Sequence, residues 1–191
     1  MNNRGFWNDV LRCGAILGII MGASGIFETY ALISGSHGLL GVMLLEMIVV
    51  LAVFVWLLYA FARKRSRLYE PQEGFSYAQA LLYVICMSAA AGVIAGVMKY
   101  VFISIIGYGT MIDGYMDILE YYRATVVQAD MPDMYVKMFD DMIEAVRISE
   151  RPSILATVFG SLETYAVGGA LLGLIISGIV RRDPVITHNG E

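Results

Sequence analysis

Cysteine and histidine are scarce in this chain, two of each among 191 residues, and their scarcity removes whole classes of function. Cys13 and Cys86 both fall inside apolar blocks, where a thiol packs as a small hydrophobe, so no disulfide framework or cysteine metal cluster follows from them. His37 and His188 stand alone, and a metal centre needs several converging ligands. Charge is sparse too, at 16% of the chain, below the share usual for soluble domains. There is no glycine-rich phosphate loop, nucleophile elbow, HExxH or clustered zinc set. No enzyme is therefore expected, and no metal or cofactor. Nucleic acid is excluded as a partner because the densest basic cluster sits against the end of an apolar block.

What is abundant is apolar: hydrophobic residues make up 58% and the mean hydropathy is +0.67. They gather in four blocks, about 13–33, 38–62, 77–107 and 153–180, each long enough to cross a hydrocarbon core of about 30 Å at about 1.5 Å per residue. The predicted fold is all-α, an integral membrane four-helix bundle forming a single domain over 1–191. The first block is longer than a signal-peptide core, shows no small-x-small cleavage site and is soon followed by another span, so it is expected to be a retained helix.

Orientation follows from the loops. Eight bases, Arg4, Arg12, Arg63, Lys64, Arg65, Arg67, Arg181 and Arg182, flank one side of the spans. The other side holds the segment 108–152, with nine acids against Arg123, Lys137, Arg147 and Arg151. The positive-inside rule then places both termini, the loop 63–76 and the tail 181–191 in the cytoplasm of an inner membrane. The segment 108–152 becomes an outer cap, read as a helical hairpin: Tyr115, Ile118, Leu119, Tyr122 and Val126 mark one amphipathic face, Tyr135, Met138, Phe139, Met142 and Val146 another, with Asp130 and Pro132 between. Met131, Met134, Met138 and Met142 recur at helical spacing, which is read as adaptable packing in preference to a copper site because no His or Cys joins them. Arg63, Lys64, Arg65, Arg67, Arg181 and Arg182 are also candidates for anionic lipid headgroups.

Four ionisable residues interrupt the apolar blocks, Glu28, Glu46, Lys99 and Glu163, and the span boundaries put all of them in the outer half of the bilayer. At a helix centre such a charge costs roughly 2.5–3.5 kcal/mol on insertion scales, which favours pairing. Small residues mark the packing seams: Gly14, Gly18, Gly22 and Gly25 lead to Glu28, Ser88, Gly92 and Gly96 lead to Lys99, and Ala156, Gly160, Ala166 and Ala170 share the Glu163 face. Glu46 has no such seam to fix its direction. Two readings of these charges stay open. Lys99 pairs with one carboxylate while the others are protonated, hydrogen-bonded or reach outward, or the group forms a polar cavity open to the outside that takes a proton, a cation or a small solute. Glu28-Thr29-Tyr30-Ala31 recurs as Glu163-Thr164-Tyr165-Ala166, which adds Tyr30 and Tyr165 to the candidates, although poor agreement in the flanks favours coincidence over an inverted repeat.

The layout resembles the bacterial membrane proteins catalogued as domain-of-unknown-function family 4199. The likeness rests on Phe6-Trp7 before the glycine run, on Gly74-Phe75-Ser76-Tyr77-Ala78-Gln79-Ala80 leading into the third span, and on a long outer segment before a Gly-rich fourth span. The resemblance implies a four-helix inner-membrane architecture and supplies no catalytic residues. The functional expectation is a small transport or channel component. The alternative is a non-enzymatic scaffold or accessory subunit for an envelope glycan or lipid enzyme. The partners are then the bilayer and either further copies of the chain or that enzyme.

Overall fold

The computed structural model describes residues 3–34, 37–70 and 72–184, the side chains of 3, 4 and 37–40 excepted. Pro71, His188, the tail beyond 184 and the side chains of Arg4 and His37 lie outside that description. Among the described residues the chain forms six helices and no strand: α1 Asn3–Ile33, α2 His37–Ser66, α3 Tyr77–Ile106, α4 Tyr108–Gln128, α5 Asp133–Arg147 and α6 Ile154–Val180. Four of them, α1, α2, α3 and α6, are long and apolar enough to cross a membrane.

Local chemistry sets the boundaries. Ser76 accepts a hydrogen bond from the Gln79 amide while the Gln79 side chain accepts one from the Ser76 amide. This capping box satisfies two donors that an open helix start would leave bare. Gly107, at φ 91°, ends α3 in a conformation that costs glycine little, and α4 starts at the next residue. Asp130, at φ 49°, breaks α4 from α5 in the left-handed region that Asp tolerates. Ser153 caps α6 through the Ala156 amide. The helices also outrun the apolar blocks: α1 begins ten residues before Cys13, and α2 carries Arg63, Lys64 and Arg65 in its last turn.

The third helix is the centre of the bundle, clasped by α1 and α6, and the glycines explain how closely. A methyl group on Gly14 would lie 2.7 Å from Ala90 Cβ, one on Gly18 2.7 Å from the Ala91 carbonyl, and one on Gly22 2.6 Å from Met98 Sδ. Across the other face, Gly92 meets Ser161 and Leu162, Gly96 meets Val158 and Ser161, and Gly169 meets Ser88. Packing of this kind substitutes for hydrophobic driving force where the solvent is lipid. The fourth-span seam therefore runs through Val158, Ser161, Leu162, Gly169 and Gly173, and not along the Glu163 face expected from Ala156, Gly160, Ala166 and Ala170. The reason lies on α3, where Gly92 and Gly96 open the space that those residues fill.

The second helix is peripheral. Only 17% of its most apolar stretch is buried, against 44% in α1 and α3. Its second half docks through Phe54, Leu57, Leu58 and Ala62, while most of the side chains from Gly41 to Ala52 are exposed. At the end shared by the first turns of α1 and the last turns of α2 and α6, Phe75 and Arg182 exchange two backbone hydrogen bonds of 2.8 and 2.9 Å. At the opposite end α4 approaches α1 closely, with Gly114 against the Ile33 backbone.

The segment between α3 and α6 is helical as expected. On α4, Tyr115, Ile118, Leu119 and Val126 are buried or partly buried with Tyr122 exposed, whereas the α5 face differs in part from the prediction. Val136, Phe139, Ile143 and Val146 are the partly buried line of α5, with Phe139 stacked on Tyr122 at 6.4 Å and 17°. Met131, Met134, Met138 and Met142 are all exposed. Arg123 of α4 pairs with Asp140 of α5.

Candidate functional site

A cleft of about 580 Å³ opens where α1, α3, α4 and α6 meet, within the size range of small-molecule sites. Glu28 enters from α1 and Lys99 from α3; Thr157, Ser161, Thr164 and Tyr165 line the α6 wall, and Tyr108 and Tyr115 close it from α4. The space exists because Gly25 and Gly160 line it and carry no side chain; a methyl group on either would meet nothing within 4 Å. These two glycines, expected to pack helices, leave room.

The polar groups are held ready and not consumed by one another. Glu28 is half-buried and Lys99 is exposed to the cleft. Neither forms an ion pair within 4.0 Å among the described residues, although Lys99 lies within electrostatic reach of Glu28. Tyr115 is held above the ordinary tyrosine pKa by burial first and by the Glu28 charge second. The cleft is therefore offered a neutral hydroxyl, which can donate or accept a hydrogen bond.

Of the remaining candidates, Glu46, Glu163 and Tyr30 lie outside the cleft lining. Glu46 faces α1, where Ser24 Oγ donates to its Oε1 at 2.5 Å and its Oε2 is buried without a partner. Glu163 is exposed on the outer surface of α6, away from the cleft wall. Tyr30 is also exposed, whereas Tyr165 lines the cleft and packs edge-on against Phe54 at 5.8 Å. The two copies of Glu-Thr-Tyr-Ala thus present different members to the cleft: Glu28 from the first, Thr164 and Tyr165 from the second. Sequence reasoning did not anticipate Tyr108 and Tyr115, whose approach depends on how α4 folds back over α1, or Thr157 and Ser161, which lie on the α6 face that packs toward α3.

The basic residues divide at the other end of the bundle. Arg63, Arg67, Arg181 and Arg182 line a second cleft of about 350 Å³ with Tyr59, Ser66, Ile179 and Val180. Arg65 turns inward and pairs with Asp9 at 3.7 Å, donates to the Gly5 carbonyl at 3.3 Å, and stacks against Phe6 and Tyr69. Lys64 is exposed and lines neither cleft. Asp9 escaped the sequence reading, although Phe6, Val10, Cys13 and Leu17 form a helical apolar line beside it.

The model of a family described as a protein of unknown function, DUF4199, matches residues 12–182. No curated protein and no solved structure matches the sequence.

Proposed function

The chain belongs to the DUF4199 family, which lends no activity to transfer, and we propose from the cleft that it is a solute-binding component of a small membrane transport system, not an enzyme. The observation that carries this reading is the pair Glu28 and Lys99, which share a 580 Å³ cleft without forming an ion pair within 4.0 Å. A carboxylate and an amine presented by two different helices to one cleft suit a small zwitterion, whose ammonium meets Glu28 and whose carboxylate meets Lys99. The tyrosines supply apolar walls with polar tips. Positive-inside topology supports an inner membrane with both termini cytoplasmic and α4–α5 as the outer cap, so the cleft opens outward.

The test is a melting-temperature panel on the purified protein with the common amino acids, repeated on Lys99→Met and Glu28→Gln. Stabilisation by a subset of them, lost in both variants while the unliganded melting temperature stays near wild type, supports the proposal. If no amino acid moves wild type and both substitutions change only folding, the reading fails.

A second reading is favoured by one specific feature, the exposed first half of α2. A helix wetted by lipid on most of its surface offers a docking face, which suits a scaffold for an envelope enzyme or a homo-oligomer. A photocrosslinker at Met47, which is 54% exposed, distinguishes these: a self-adduct means an oligomer, a constant heterologous adduct means a scaffold, and adducts to lipid alone remove the reading.

A further inference from the structure

Of the six bases flanking α2 and α6, the fold spends one on an internal ion pair and turns four toward a single concave surface. Arg63 and Arg67 come from the last turn of α2 and the residues just after it, and Arg181 and Arg182 follow α6. None of the four meets a carboxylate within 4.0 Å among the described residues. They are nevertheless positioned. Arg63 donates to the Tyr59 hydroxyl at 2.9 Å, Arg182 to the Ser66 carbonyl at 3.4 Å, and Ser66 itself to the Val180 carbonyl at 2.8 Å. The Phe75 bridge fixes the backbone of Arg182. Like charges gathered on a concave wall repel one another and focus a positive potential that an anion relieves.

Two further features narrow the anion. All four groups are guanidiniums, whose planar forks match phosphate oxygens two at a time, and the one lysine nearby is left outside. A shallow apolar groove, open to the surroundings and with about 590 Å³ of space over it, is lined by α2 alone through Ile48, Leu51, Ala52, Val55, Trp56 and Tyr59. It runs up that helix and meets the arginine cleft at their shared Tyr59. From Ile48 to Tyr59 the helix rises about 16 Å, close to one leaflet of a hydrocarbon core about 30 Å thick.

We propose that the arginine cleft and the α2 groove together form a binding site for an anionic phospholipid, with the phosphate headgroup held by Arg63, Arg67, Arg181 and Arg182 and an acyl chain lying from Tyr59 toward Ile48. The site is independent of the solute cleft. Which leaflet supplies the lipid follows from the orientation; the positive-inside assignment makes it the inner one.

The experiment titrates detergent-purified protein with long-chain phosphatidylglycerol, phosphatidylcholine and sodium pyrophosphate, reading retained lipid by native mass spectrometry and stability by melting temperature. Phosphatidylglycerol is expected to be retained over phosphatidylcholine, and Arg67→Gln with Arg181→Gln to weaken it by about tenfold or more, the loss expected for charge-assisted contacts. Lys64→Gln removes a neighbouring charge outside the cleft and leaves retention unchanged. Ala52→Trp fills the groove, spares the arginines and lowers retention of the long-chain lipid. Retention that falls as far in Lys64→Gln as in the arginine variant reduces the effect to net charge and overturns the site. Stabilisation by pyrophosphate equal to that by lipid assigns the cleft to soluble phosphates and overturns the lipid. Indifference to Ala52→Trp removes the acyl groove.

Discussion

Arg65 and Asp9 form an ion pair at 3.7 Å that ties the last turn of α2 to the first turns of α1, and Tyr83 of α3 donates to the same carboxylate oxygen at 2.9 Å. Three helices thus converge on one side chain. The arginine side chain is only 12% exposed, so removing its partner strands a largely buried charge. Asp9→Asn should cost about 3 kcal/mol, toward the low end for breaking a buried pair because Asp9 retains some solvent. Tyr83→Phe removes one bond to a charged acceptor and should cost about 1.5 kcal/mol. Unfolding in detergent measures both, and the double variant should lose less than their sum, since each change removes part of one network. Full additivity would show that the three groups do not act together.

The glycines permit a sharper comparison, because the sequence gives Gly92 and Gly160 the same packing role and the structure does not. A methyl group on Gly92 would sit 2.8 Å from both Leu162 Cα and the Ser161 carbonyl, which are backbone atoms that cannot swing away. Gly92→Ala should force α3 from α6 and cost about 1–3 kcal/mol. Gly160→Ala meets nothing within 4 Å and should be neutral or stabilising by up to about 1 kcal/mol. Equal destabilisation of the two would refute the α3–α6 interface described above.

This pair also shows where the sequence is legible. Span number and the starts of α3 and α6 are readable because each rests on nearby residues: apolar length, the Ser76–Gln79 capping box, the Ser153 cap. The start of α1, ten residues before its apolar block, is not. Gly14, Gly18 and Gly22 on α1 are readable because a one-sided stripe of small residues admits a neighbour whichever helix that proves to be, whereas Gly25, on the same stripe, faces open space. The α6 face is not readable, since Ala156, Gly160, Ala166 and Ala170 make as good a stripe as the one used, and the choice is made by holes on α3. The cleft is half legible for the same reason. Glu28 and Lys99 announce themselves as charges among apolar neighbours, whereas Tyr115 reaches the site only through the break at Gly107 and the approach of Gly114 to Ile33. Glu163 announces itself equally and lies outside.

Glu46 yields a prediction from hydrogen-bond accounting. Ser24 Oγ supplies the donor to one carboxylate oxygen, and the other is already buried without a partner. Ser24→Ala should therefore cost about 1–3 kcal/mol, the penalty of leaving a buried acceptor bare. Adding Glu46→Met removes the acceptor as well and should recover most of that loss, since exchanging both partners for apolar groups is close to neutral. A double variant no more stable than Ser24→Ala alone would mean that Glu46 contributes through something other than this bond.

The orientation of the whole molecule rests on charge and is open to direct measurement. The bases of α1, α2 and α6 collect at the end marked by the Arg65–Asp9 pair and the Phe75–Arg182 bridge, while the acidic α4–α5 pair lies at the end where Gly114 meets Ile33. Moving the basic end across the membrane is the disfavoured direction. In a background of Cys13→Ala and Cys86→Ala, a membrane-impermeant maleimide should label Lys137→Cys in intact cells and Lys64→Cys only after permeabilisation. Both positions are exposed, so access and not burial decides the result. Reversed labelling would turn the solute cleft toward the cytoplasm and the arginine cleft toward the outer leaflet. A solute carrier could work either way round, but a site for an anionic lipid of the inner leaflet could not.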